Sequence, residues 1–309
     1  MHRTSRRAGL ALALILPWLA ACAGRPAPQA PAPLPPPPPG AVPAPETKPL
    51  PPLSGLVCLP DGSFLAVVDT KSNAPAGAPR VIRVSLMGQD ATWEPIPVAW
   101  PEPDGTSNDL ESVAAVPGTD SFLLVESSFR EGRYGRILQI TLDGKVLRTG
   151  HLPTNVTNIE GTAVVRTLFG LVFLFGERED GTIRWADLDL SGEEIRYTEK
   201  GSVRFQVADP QGANHRELST LEADLAGRLF TASTIDPGEK GPFQSVVWEI
   251  GQVGDQLSIL GNPRRIADVP DAKVEALAFC RGADGREQLF LGSDDEDFGG
   301  SLRPVPDVH

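Results

Sequence analysis

A strand-length pattern repeats along this chain, and the repeat limits the folds open to it. A short run leads into an apolar stretch, and a second apolar run then closes on a polar or acidic residue. The pair occurs five times: residues 53–60 with 64–69, 108–116 with 121–126, 158–164 with 171–177, 217–221 with 229–234, and 273–279 with 289–294. Copies lie about 50–60 residues apart, the spacing of propeller blades. A third short run follows each pair, at 80–84, 136–140, 182–185, 245–248 and 301–305. Pro60-Asp61-Gly62 and Asp143-Gly144 are turn signals between runs. Three or four short strands per unit, with no long helix outside the N-terminal segment, predict an all-β domain over 53–309. The architecture expected is a single β-propeller of five blades, or six if one has diverged; a β-sandwich is the alternative.

Aligning the copies turns residues into columns. First strands begin with Ser54, Glu111, Glu160, Ser219 and Glu275; second strands end with Asp69, Glu126, Glu177, Thr234 and Asp294. In a propeller the first strand of each blade lines the channel, and its antiparallel neighbour ends beside its start. Both columns should therefore meet at one mouth. Glu111, Glu160, Glu275, Asp69, Glu126, Glu177 and Asp294 would place seven carboxylates around one axis.

Carboxylates that close repel unless something compensates them. Ca2+, with its typical demand for about 6–8 oxygen ligands in flexible geometry, suits such a ring. Arginine is the other compensation: Arg80 and Arg136 open third strands, and Arg130, Arg133 and Arg178 lie in loops on the same side. Blade-to-blade hydrogen bonds or Glu–Arg pairs would satisfy the same carboxyls without a metal. The acidic run 293–300 resembles a cation-binding turn but lacks the alternating acids of an EF-hand loop. With four histidines, two of them His2 and His309 at the chain ends, a histidine zinc site is excluded. His215 is the one plausible imidazole base near the mouth. No Gly-x-Ser-x-Gly elbow or phosphate-binding P-loop is present. Cys58 and Cys280 fall in the first strands of the first and last copies, one column apart. The alignment puts them on opposite strand faces and favours two buried thiols over a disulfide clasp.

The N-terminus carries a different signal. Arg3, Arg6 and Arg7 precede an apolar run from Ala8 to about Ala21 that is too short to span a bilayer. The run ends Leu19-Ala20-Ala21-Cys22, which resembles the lipobox of bacterial lipoproteins. That resemblance implies a cleaved signal peptide over 1–21, acylation of Cys22 (palmitate among the acyl groups), and anchoring to a membrane. Ala23 after the cysteine points to the periplasmic face of the outer membrane. Residues 22–52, rich in Pro and Ala with Pro35 to Pro39 in series, read as a polyproline-like tether that cannot bury a core. Cleavage before Cys22 would remove three arginines and take the net charge from −12 to −15. A chain so acidic repels phosphate backbones, so nucleic-acid binding is not expected.

The opening of the copies, Asp109-Leu110-Glu111-Ser112-Val113-Ala114 or Asn158-Ile159-Glu160-Gly161-Thr162-Ala163, followed by an apolar strand ending in an acid, resembles two propeller groups. These are the SdiA-regulated family and the esterase-like phytase domains. The resemblance implies a calcium-compatible propeller in the bacterial envelope, and it carries Glu111, Glu160 and Glu275 over as channel positions. Phytase-like activity would further imply a calcium-bridged phosphate site ringed by Lys and Arg. Two functions follow as expectations: an envelope propeller that binds a ligand or protein at an acidic mouth, or a calcium-dependent hydrolase of phosphoesters or lactones. In the hydrolase, a carboxylate or His215 would handle the proton. A purely structural envelope role is the third. If Cys22 is the anchor, Cys22→Ser should abolish the acyl mass increment and move the protein from the membrane to the soluble fraction; a membrane-bound, unmodified variant would contradict it.

Overall fold

The computed structural model describes residues 48–305, except 72, 89, 104, 128–133, 157, 179, 213, 255 and 283. Cys22, the signal segment and most of the tether, together with Arg130 and Arg133, lie outside the described residues. Five antiparallel sheets follow one another along the chain. Blade 1 holds β1 (Gly55–Cys58), β2 (Phe64–Val67), β3 (Val81–Met87) and β4 (Asp90–Pro95). Blade 2 holds β5 (Leu110–Ala115), β6 (Ser121–Glu126), β7 (Arg136–Thr141) and β8 (Val146–His151). Blade 3 holds β9 (Ile159–Thr167), β10 (Gly170–Glu177), β11 (Thr182–Asp189) and β12 (Arg196–Arg204). In blade 4 the inner strand is split into β13 (His215–Arg216) and β14 (Leu221–Ala223), followed by β15 (Arg228–Ile235), β16 (Gln244–Val253) and β17 (Leu257–Val269). Blade 5 has three strands, β18 (Val274–Arg281), β19 (Glu287–Ser293) and β20 (Leu302–Pro304). The expected five-bladed, all-β propeller is what forms, with no α-helix among the described residues.

The hydrophobic alternation explains the ring. The second strands, such as β2 and β6, are buried on both faces, so each blade packs one face against the blade before it and the other against the blade after, while outer strands such as β12 are largely exposed. Five separate apolar cores result, one per junction. Leu123, Val125, Phe173 and Phe175 join blades 2 and 3, for example, and Phe230, Val247, Leu277 and Leu289 join blades 4 and 5. The last junction returns to the start: Leu56, Phe64 and Ile82 of blade 1 pack on Ala276, Ala278 and Leu302 of blade 5. Close approach of inner strands needs small residues. A Cβ on Gly161 would sit 2.1 Å from the Leu221 nitrogen in the next blade, so that position accepts only glycine.

Among the described residues, blade 5 has no fourth strand. The ring is instead fastened by that fifth core, by backbone bonds from Leu53 N–H to Ser293 O (3.0 Å) and Gly300 N–H to Leu50 O (2.9 Å), and by a disulfide. Leu50 is buried and the Pro49 carbonyl accepts the Trp93 indole N–H, so residues 48–52 pack on the domain although their composition assigns them to the tether. Cys58 and Cys280 are bonded, with Cα atoms 5.3 Å apart, against the expectation of two thiols. The columns were read correctly but their meaning was reversed. Opposite faces separate residues within one sheet, whereas face-to-face blades bring the opposite faces of neighbouring strands together. The bond closes a loop of 222 residues, for which chain entropy sets an upper contribution of roughly 5 kcal/mol. The Cys58→Ser/Cys280→Ser variant should unfold at markedly lower urea than the oxidised wild type; equal midpoints would show that the apolar core alone closes the ring.

Candidate functional site

Three of the inner strands carry the same local device. In blades 2, 3 and 5 the strand pairing skips one residue, and the skipped residues are Glu111, Glu160 and Glu275. Each is the extra residue of a β-bulge, which breaks the ladder and re-aims the side chain off the sheet. Two residues before Glu111 and Glu160, Asp109 (φ 67°) and Asn158 (φ 50°) adopt the left-handed conformation that Asp and Asn tolerate better than most residues; Lys273, two residues before Glu275, does not. The bulge, joined by this turn in blades 2 and 3, directs the ring residue to the channel axis. In blade 4 Asn214 (φ 60°) stands at the same spacing before Arg216, which sits where blades 2, 3 and 5 have glutamate.

These side chains enclose a cavity of about 200 Å3 to which all five blades contribute. Seven acids (Asp69, Asp109, Glu111, Glu160, Glu275, Asp294, Glu296) and four cations (Lys71, Arg178, Arg216, Lys273) line it with Ser127 and Asn158, and no apolar side chain does. Each cation is engaged with carboxyls. Lys71 Nζ lies 2.7 Å from Asp69 and also contacts Asp109. Arg178 pairs with Glu160 at 3.0 Å. Arg216 pairs with Glu275 at 3.0 Å and with Asp236. Lys273 reaches Glu275 and Asp294, both at 3.3 Å, and Glu296.

Of the expected mouth residues, Glu111, Glu160, Glu275, Asp69 and Asp294 are brought together, while Glu126 and Glu177 are not. Glu126 is fully buried, pairs with Arg136 at 2.7 Å and accepts the Asn108 N–H. Glu177 pairs with Arg184 at 2.8 Å. Both sit one residue earlier than Asp69 and Asp294 in their strands, and a one-residue step turns a side chain to the other face. Ser219 and Thr234 bond to each other and to the Val274 carbonyl, a blade-to-blade contact. Arg80 donates to the carbonyls of Lys71, Ala78 and Ser107. His215 lies in an adjoining cavity of about 280 Å3 with Arg178, Asn214, Arg216 and Asp236. Its Nε2 is 3.4 Å from Glu217, and neither ring nitrogen is hydrogen-bonded. The alignment missed Arg216, Asp109, Lys71, Lys273 and Glu296. The Asn-x-Arg spacing would have found Arg216, and Asp109 and Lys273 stand two residues before Glu111 and Glu275 in the same copies, whereas Lys71 and Glu296 lie beyond the repeated runs.

Burial holds protons in the site. It raises Glu111 well above the usual carboxyl range, with Glu160 and Asp69 adding repulsion. Burial raises Glu275 likewise, with Lys273 only partly opposing. Glu160 is raised by burial to about 7 despite Arg178, Arg216 and Lys273, and Asp69 by burial to about 6 despite Lys71. Burial also acts against the charge of Asp109, yet hydrogen bonds from Glu111, Asp69 and Lys71 hold it at about 2. Asp109 is thus the readily ionised acceptor of a small network in which Glu111 holds its proton more tightly than an ordinary carboxyl.

The architecture agrees with known structures. The xyloglucan PUL GH43B of Bacteroides ovatus shares 10% identity with a TM-score of 0.50 over 84% of this chain, which spans 53% of that one. An endo-arabinase from Bacteroides thetaiotaomicron VPI-5482 shares 10% identity with a TM-score of 0.49, over 85% of this chain and 98% of that one. The PQQ-bound aldose sugar dehydrogenase from Streptomyces coelicolor shares 14% identity with a TM-score of 0.41, over 83% and 96%. Likeness at this level is one of fold. No known family and no curated protein matches the chain. The fold and its site define a five-bladed β-propeller with a charged channel mouth.

Raised carboxyl values fix the sign of the pH dependence. The folded state holds extra protons between the ordinary value and the raised one, so stability falls as pH rises through that window. For Glu160 the window runs from 4.5 to about 7, and for Asp69 from 3.8 to about 6. The contribution of Asp109 has the opposite sign and is lost as pH falls from 3.8 toward about 2. Urea midpoints should therefore fall between about pH 5 and 7, and Glu160→Gln should flatten that fall; an unchanged slope in the variant would contradict the assignment.

Proposed function

We propose that the protein is an envelope-anchored propeller, held by a lipid on Cys22 at the periplasmic face of the outer membrane, that binds a small polar ligand in the channel-mouth cavity. The observation that carries this reading is the wall itself: charged groups from every blade converge on about 200 Å3 with no apolar lining. Burying that many ionisable groups costs stability even when they pair, and three bulges are spent on aiming them. Such an arrangement is hard to account for as packing alone, and perturbed carboxyls in a cleft mark functional sites. Alternating donors and acceptors suit a ligand with several polar groups.

A second reading, a calcium-dependent hydrolase of phosphoesters or lactones, is favoured by one feature. Carboxylate oxygens of Asp69, Asp109 and Glu111 lie within 4.8 Å of one another, as ligands of one cation would. Lys71 already pairs with Asp69 and Asp109, so Ca2+ would have to displace its ammonium. Held there, the ion would polarise a phosphoryl or carbonyl oxygen. His215, beside the cavity, would be the nearest imidazole to take a proton.

Thermal unfolding of the full chain in detergent, with Ca2+, inorganic phosphate, a small sugar alcohol and a lactone panel, tests both readings. Binding at the mouth should raise the midpoint in the wild type and fail to do so in Glu111→Gln/Glu160→Gln. Stabilisation by Ca2+ that strengthens at least tenfold in apparent affinity in Lys71→Met, with calcium-dependent turnover, would favour the hydrolase. Shifts that persist in the double variant would contradict both.

A further inference from the structure

We propose that the face opposite the cavity docks on the lipid bilayer, so that the cavity opens away from the membrane. This inference rests on the anchoring reading above but concerns a different surface. Inner strands start at the cavity and end on the opposite face. There the β9–β10 turn carries Leu168 and Phe169 side by side, 93% and 81% exposed, and the β14–β15 turn of the next blade carries Leu225, 72% exposed. The β3–β4 turn adds Met87, 70% exposed. Beside Phe169 a cleft of about 630 Å3 opens between blades 3 and 4, lined by Val172, Trp185 and Leu257 and by the ion-paired Asp187 and Lys200. Scattered exposed apolar residues are ordinary, but adjacent Leu and Phe at a projecting turn, beside a cleft of mixed lining, form a patch of the amphipathic kind an interface takes. On the cavity face, Phe298 is the one comparably exposed large apolar side chain among the described residues.

The occupant follows from the chain outside the structure. The 26 residues from Cys22 to Thr47 precede the domain. At about 3.1 Å per residue their proline-rich composition reaches on the order of 80 Å. An acyl group on Cys22 would therefore keep the domain within reach of one bilayer in any orientation, at high effective concentration. Under that condition a few apolar tips suffice to choose the face, because each need contribute only modest interfacial insertion.

The test uses the full chain with its own signal, its acyl state read by mass, reconstituted in phosphatidylcholine vesicles with or without bromine on the acyl chains. Phe169→Trp and, on the cavity face, Phe298→Trp are each compared with the wild type to remove the native tryptophan signal. The added emission of Phe169→Trp should fall at least twofold in brominated vesicles, and that of Phe298→Trp should not change. Emission of Phe169→Trp indifferent to bromine but quenched by aqueous iodide would overturn the proposal. So would shielding from both quenchers in a chain that light scattering shows to be dimeric, since a second copy would then cover the face. If mass shows no acyl group, the anchoring reading fails on its own; bromine quenching on added vesicles would still uphold the surface, and its absence would overturn it.

Discussion

The structure depends on charge compensation inside the channel mouth. Glu111, Glu160 and Glu275 are carried to the axis by bulges, and three carboxylates there would repel one another and the protein's low-dielectric interior. Arg216 replaces the fourth glutamate and pairs across a blade boundary with Glu275. Lys71 bridges Asp69 of blade 1 and Asp109 at the edge of blade 2. Where a cation does not suffice, burial retains a proton, as at Glu111. The mouth is therefore much closer to neutral than its seven acids suggest.

This compensation crosses blade junctions. Arg216–Glu275 spans blades 4 and 5 and Lys71–Asp109 spans blades 1 and 2, so opening either seam would strand the charges of its own pair. The apolar cores hold the seams from outside, and the Cys58–Cys280 bond locks the junction where the chain's ends meet. The cavity, walled by all five blades, is complete only when the ring is closed.

The fold was legible because each blade repeats its strand pattern and turn signals, and glutamates at bulges kept their place in the alignment. Blade 4 broke the pattern: its inner strand is interrupted between Arg216 and Leu221, so Ser219 aligned by eye where Arg216 belongs. Glu126 and Glu177 ended the right strands but on the wrong face, a one-residue difference that column reading does not resolve. Lys71 and Lys273 flank strands rather than sit in them, and only three dimensions bring them to the acids. Cys58 and Cys280 misled for a geometric reason, since blades meet face to face.

The functional account follows from the same wall. A polar, nearly balanced cavity suits the proposed ligand by offering donors and acceptors in turn, with no apolar side chain in its lining. The most direct measurement is carbon-13 NMR of the glutamate side-chain carboxyls across pH. The account predicts resonances that titrate well above the ordinary glutamate range, one of which vanishes in Glu111→Gln. If every glutamate carboxyl titrates in the ordinary range, burial does not hold protons in the mouth and the account is wrong.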